Sequence, residues 1–138
     1  MRLQHQTQRQ TRRAFTLMEM LVVVAIIVML AGIGGYYFVK SYEDSKRSAA
    51  KVQVKVLTEA AEAYYLSNSS YPPSLQALLV QDPQGGGPYL KTQEALIDPW
   101  KNPYQYDAAG PKNKGKKPDV WTVTPDKETL GNWPAEKK

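Results

Sequence analysis

Residues 14–39 read AFTLMEMLVVVAIIVMLAGIGGYYFV, and this run decides how the rest of the chain is built. From Met20 to Val39 it holds no charged residue. At a rise of about 1.5 Å per residue, about 20 helical residues span roughly 30 Å, the thickness of a bilayer's hydrocarbon core. The segment is long and apolar enough to cross a membrane once. Glu19 breaks the pattern, because a carboxylate inside an apolar helix costs a few kcal/mol even on lenient insertion scales. Its presence calls for a partner.

The flanks supply one. Arg2, Arg9, Arg12 and Arg13 lie upstream with no acid among them, and small Ala14 leads into Phe15-Thr16-Leu17-Met18-Glu19. This resembles the type IV prepilin signal, a basic leader ending in a small residue before F-T-L-x-E and a hydrophobic helix. The resemblance implies that a prepilin peptidase cuts between Ala14 and Phe15 and that the new terminal Phe15 is N-methylated. It also gives Glu19 a role. A freed Phe15 amine is a cation at neutral pH, and beside the Glu19 carboxylate of a neighbouring subunit it relieves two unpaired charges and sets axial register in a filament.

Other readings of these residues stand beside that one. Thr11 to Leu17 also resembles a twin-arginine export signal, but that signal wants an uncharged apolar core, which Glu19 interrupts. A plain signal anchor leaves Glu19 unexplained. Lys40, Lys46 and Arg47 nearly balance the leader's charge, so counting positive flanks does not fix orientation.

Composition narrows the function classes. The net charge is +5, but setting aside the four leader arginines from 18 basic residues leaves 14 against 13 acidic ones. The basicity belongs mostly to targeting. There is no cysteine, and the only histidine, His5, lies in the leader. A mature chain lacking both has lost the side chains most used for acid-base, nucleophilic and zinc chemistry, so an enzyme is not expected.

Pattern and resemblance together imply four segments: a leader at 1–14 that the resemblance implies is cleaved, a membrane or, by the resemblance, filament-core helix at 15–39, an amphipathic continuation at 40–66, and a globular region with short strands at 67–138. Gly32, Gly34 and Gly35 fall inside the apolar run, each unfavourable by about 1 kcal/mol relative to Ala. They mark close helix packing or a stretch that melts when the subunit is drawn into a filament. Past Lys40, Ala49, Val52, Val56, Leu57, Ala60, Ala63 and Tyr64 share one side at helical spacing, with Lys51, Lys55, Glu59 and Glu62 opposite. That stripe is expected to pack on the chain's own domain. The whole helix, Phe15 to about Leu66, would run roughly 75 Å.

Tyr71-Pro72-Pro73 ends the helical pattern, and Ser74 is the expected N-cap of a short helix burying Leu75, Leu78 and Leu79. Gly85-Gly86-Gly87-Pro88 reads as a turn and not a phosphate cradle, since no Lys-Ser/Thr follows and Pro88 offers no amide donor. Gln105 to Asp107 and Val120 to Thr124 alternate as strands do. Between them Lys112, Lys114, Lys116 and Lys117 sit among Gly and Pro without interleaved aromatics, a solvated hairpin loop in preference to a nucleic-acid surface. The fold class is α+β: a long N-terminal helix packed on a small antiparallel sheet, type IV pilin-like.

Asp98-Pro99-Trp100-Lys101-Asn102-Pro103-Tyr104-Gln105-Tyr106, taken with Tyr71-Pro72 and Leu78-Leu79, narrows the resemblance. It is similar to the D-P-W-G-N-P-Y-x-Y segment of the G-type, or major, pseudopilins of type II secretion systems. Lys101 replaces a glycine there and is expected to change one turn, while Trp100 is expected to anchor the core. The closing Leu130-Gly131-Asn132-Trp133 resembles that family's final segment, before which the resemblance implies a calcium-binding loop. Asp126 and Glu128 are the candidate ligands in a loop shorter than the family's, and Trp133 packing alone is the alternative way to close it. No other cofactor is implied.

Further expectations come with the resemblance. Self-assembly gives a helical homopolymer in the periplasm, with the subunit held beforehand in the inner membrane by one span. The other partners are minor pseudopilins, an inner-membrane platform and an outer-membrane secretin, with no nucleic acid. The alternative is a type IV pilin for adhesion, motility or DNA uptake. Many of those carry a C-terminal disulfide, which this chain cannot form.

Overall fold

Helix α1, Leu17–Asn68, is the longest element of the computed structural model, which describes residues 15–134. The chain divides into two units at Lys40/Ser41. In the first, α1 is unbroken across Gly32, Gly34 and Gly35, and every side chain from Phe15 to Lys40 is exposed. A Cβ at any of the three glycines would meet nothing within 4 Å, so packing within one chain does not demand them. The leader, 1–14, lies outside the described residues, and so does Ala14.

The second unit is an α+β domain. Its share of α1 buries Ala50, Val54, Leu57, Thr58, Ala60 and Ala61, spaced at three and four residues as a helix face requires. The expected stripe is corrected in phase: Leu57 and Ala60 belong to it, but Ala49, Val52 and Val56 are exposed. Apolar residues occupy two faces of this helix, and the domain covers only one.

After α1 the chain makes 3-10 turns at Leu75–Leu79 and Gln93–Leu96. The first buries Leu75 and Leu78, while Leu79 is only partly covered and Ser74 makes no side-chain cap. The carbonyl of Leu78 accepts the N–H groups of both Tyr89 and Leu90 at 2.9 Å, which pins the returning chain.

Strands β1 (Gln105–Asp107), β2 (Asp119–Val123) and β3 (Thr129–Gly131) form an antiparallel sheet in that order. Tyr106 faces Val120, and Thr122 faces Leu130. The core gathers Val54, Leu57, Leu75, Leu78, Leu90, Leu96, Tyr104 and Val120. Apolar burial on this scale is what a domain of this size can rely on for stability.

The basic segment between β1 and β2 is more ordered than a plain hairpin loop. Asp119, buried at its end, accepts the backbone N–H groups of Lys112 and Asn113 at 2.8 and 3.1 Å. Gly110, at φ +58, is required here, because a Cβ would sit 1.9 Å from the Lys117 carbonyl oxygen. The lysine side chains themselves remain largely exposed.

Candidate functional site

Two places hold the residues singled out by the sequence. The first is the start of α1. Thr16 accepts the Glu19 backbone N–H through both its carbonyl oxygen, at 3.1 Å, and its hydroxyl, at 3.2 Å. Thr16 is therefore the cap and Glu19 the third residue in. Thr-x-x-Glu is the pattern of a capping box, in which the acid would reach back to the cap's own N–H. That return bond is not made here. Among the described residues, the exposed Glu19 carboxylate has no hydrogen-bond or ion-pair partner. Phe15 precedes the helix and is 72% exposed.

An acid with no partner among the described residues sits one turn from the residue whose amine the expected cleavage would free. No cation of the same apolar helix lies between Glu19 and Lys40.

The second place is the turn between β2 and β3, where the structure brings Asp126 and Glu128 together on Arg47. The guanidinium donates through Nη2 to Asp126 Oδ2 at 2.6 Å and through Nη1 to Glu128 Oε2. The Thr124 hydroxyl donates to Asp126 Oδ1 at 2.5 Å. That bond first, and Arg47 next, hold the Asp126 carboxyl below the usual carboxylate range, while Asp126 pushes Arg47 upward.

A calcium ion takes six to eight oxygens. In this turn three of the four carboxylate oxygens are already engaged, one by a hydroxyl and two by a guanidinium. The Glu128 carbonyl is taken as well, by the Thr124 N–H at 2.9 Å. Among the described residues, no three Asp, Glu, His or Cys side chains are grouped to hold a metal ion. The donor set does not fit calcium.

Trp133 packs against Trp121 with ring centroids 5.9 Å apart. Asn132 donates to the Thr58 hydroxyl on α1 at 3.0 Å and to the Pro118 carbonyl at 2.8 Å, while its Oδ1 accepts from Asn113 and from the Val120 N–H. The closing Gly-Asn-Trp is thus a cross-tie between helix and sheet.

One expectation about the 98–106 segment is corrected. Trp100 is half-buried and does not anchor the core; its Nε1–H donates to Glu43 Oε2 on α1 at 3.0 Å. Lys101 sits in a left-handed turn at φ +70, a conformation glycine adopts without strain. Buried Asp98 holds the loop, its Oδ1 accepting the N–H groups of Trp100 and Asn102 at 2.9 and 2.8 Å and its Oδ2 accepting from the Thr122 hydroxyl. The 84–88 turn is organised by an acid too: Asp82 Oδ1 accepts the N–H groups of Gln84 and Gly86, leaving those donors no phosphate to bind.

Arg47 and Asn132 are the site residues that sequence reasoning missed. Glu43 lies four residues before Arg47 and offers a local partner, which hid the longer-range pairing.

Comparison with known proteins follows the same division. Residues 9–35 match the prokaryotic N-terminal methylation motif, and residues 37–135 match type II secretion system (T2SS) protein G. The chain is similar to the type II secretion system core protein G of Pseudomonas aeruginosa, at 36% identity over 91% of this chain and 98% of that protein. The core protein G of Vibrio cholerae is 32% identical over 86% of this chain and 90% of its own length. The type IV major pilin protein PilA of Myxococcus xanthus is 41% identical, but over 43% of this chain and 27% of that pilin.

Proposed function

The chain belongs to the type II secretion system protein G family, and from that premise we propose that it is the structural subunit of a secretion pseudopilus. One apolar N-terminal helix suits a single-pass inner-membrane anchor, and the methylation motif implies a processing peptidase and self-assembly. The globular domain faces the periplasm in this reading. Prepilin peptidase removes 1–14, Phe15 is methylated, and subunits pass from the bilayer into a short periplasmic filament.

The mechanism is assembly. Apolar helices bundle in the filament core, where van der Waals packing and small residues such as Gly32, Gly34 and Gly35 let backbones approach. Each Glu19 meets the Phe15 amine of a neighbour, an ion pair that is costly to leave unmade in a low-dielectric core. The domains form the outer shell. Minor pseudopilins cap the filament, an inner-membrane platform drives it, and exported proteins leave through an outer-membrane secretin.

The observation carrying this reading is the Glu19 carboxylate, without a partner among the described residues, at the first turn of an exposed apolar helix inside a matched methylation motif. The type IV pilin alternative has support over less than half of the chain. Mass spectrometry of the protein from its native host tests the processing step. A terminus at N-methyl-Phe15 is expected; a retained leader overturns the reading.

A further inference from the structure

We propose that Arg47 is a built-in countercharge that closes the turn between β2 and β3 onto α1, so that the domain folds without calcium. The inference goes beyond the pseudopilus reading and draws on it only for the expectation of a metal.

The geometry argues it. A guanidinium is planar, permanently charged and forked, and it matches two carboxylate oxygens at once. Arg47 uses that fork to bridge two acids that are two residues apart, 79 and 81 positions further along the chain. A divalent ion draws acidic oxygens inward and holds a loop against its neighbours; Arg47 does the same from the helix side. The two arrangements exclude each other, since an ion ligated by both carboxylates would sit against a fixed positive charge.

The rest of the turn is complete without further ligands. Thr124 donates to Asp126 Oδ1 and accepts the Glu128 N–H at 3.0 Å, and the Lys127 N–H donates to the Thr124 carbonyl at 2.9 Å. Lys127, exposed at φ +66, adds a second positive charge to the tip.

The test uses the mature full-length chain in detergent. Calorimetric titration with calcium chloride is expected to show no saturable binding, and the melting temperature is expected to be the same in millimolar calcium and in chelator. Stoichiometric binding with a rise in melting temperature overturns the proposal. Arg47→Gln is expected to melt several degrees lower, with Arg47→Lys in between because it keeps the charge and loses the fork. Adding Asp126→Asn and Glu128→Gln to Arg47→Gln is expected to recover part of the loss, since no charge is then left to balance. An Arg47→Gln protein that melts with the wild type overturns the proposal. Should that variant fail to fold, the lysine variant and the wild-type titration decide it. None of these readouts depends on whether the chain polymerises.

Discussion

Trp100 donates its indole N–H to the carboxylate of Glu43 at 3.0 Å, joining a loop to a helix across 57 residues of sequence. Glu43 also accepts from Lys46 at 3.2 Å, so one side chain fixes the helix face that receives the loop. Arg47, four residues after Glu43, takes the turn between β2 and β3. Two positions one helical turn apart on α1, Glu43 and Arg47, therefore hold the 98–106 loop and the turn between β2 and β3.

That arrangement predicts the acid limit of the domain. The Trp100 bond first, and then Lys46, lower the Glu43 carboxyl; the Tyr89 hydroxyl and then Asn68 lower Asp82; Thr124 and then Arg47 lower Asp126. Because each folded-state value lies below the unfolded one, the folded domain binds fewer protons in this range. Its stabilisation is present above the ordinary carboxylate values near about 4 and is lost as pH falls through the lowered ones. Melting temperatures followed from about pH 6 to about pH 2 are expected to drop, and Glu43→Gln is expected to flatten part of the slope.

The opposite limit is set by tyrosine. Burial pushes the Tyr104 hydroxyl up to about 12 and raises Tyr106 as well. An unfolded tyrosine ionises near about 10, so stability present below that pH is lost as it rises toward the folded values. Ultraviolet titration of phenolate is expected to show Tyr104 and Tyr106 ionising last, together with unfolding.

Lys101 holds φ +70 on the surface, where a side chain's Cβ is strained and glycine is not. Lys101→Gly is expected to raise stability by about 0.5–1 kcal/mol, the relief exceeding the extra freedom gained by the unfolded chain. Urea unfolding measures it.

The corrected helix face is tested by a pair of truncations. Leu78 is fully buried, and Leu78→Ala is expected to lose about 2–5 kcal/mol. Val52, 63% exposed, is expected to change domain stability by no more than about 0.5 kcal/mol when replaced by Ala. A large loss at Val52 would restore the stripe expected from spacing.

Much of this was legible from patterns local in sequence. The membrane-length helix, its termination before Pro72 and the strands at 105–107 and about 120–124 all follow from periodicity and from residues that cannot continue a helix. The phase of the buried stripe was not legible, because Val52 and Val56 make a second apolar face as regular as that of Val54, Leu57 and Ala61. Spacing alone does not say which of two faces meets the domain. Arg47 was hidden by distance, its acids lying 79 and 81 residues away with Glu43 nearby. Trp100 was legible as an important residue but not in its role, since an indole N–H finds its partner only once helix and loop are placed. Glu19 was legible because its chemistry contradicts its surroundings, and among the described residues nothing pairs with it.

Glu19 therefore supplies the most direct test of the assembly account. Glu19→Ala protein, expressed with the secretion machinery, is sedimented to measure polymer and sequenced at its terminus to measure processing. The account predicts a membrane-inserted subunit cleaved before Phe15 that forms no filament. Filaments in wild-type amount from the Glu19→Ala subunit would contradict it.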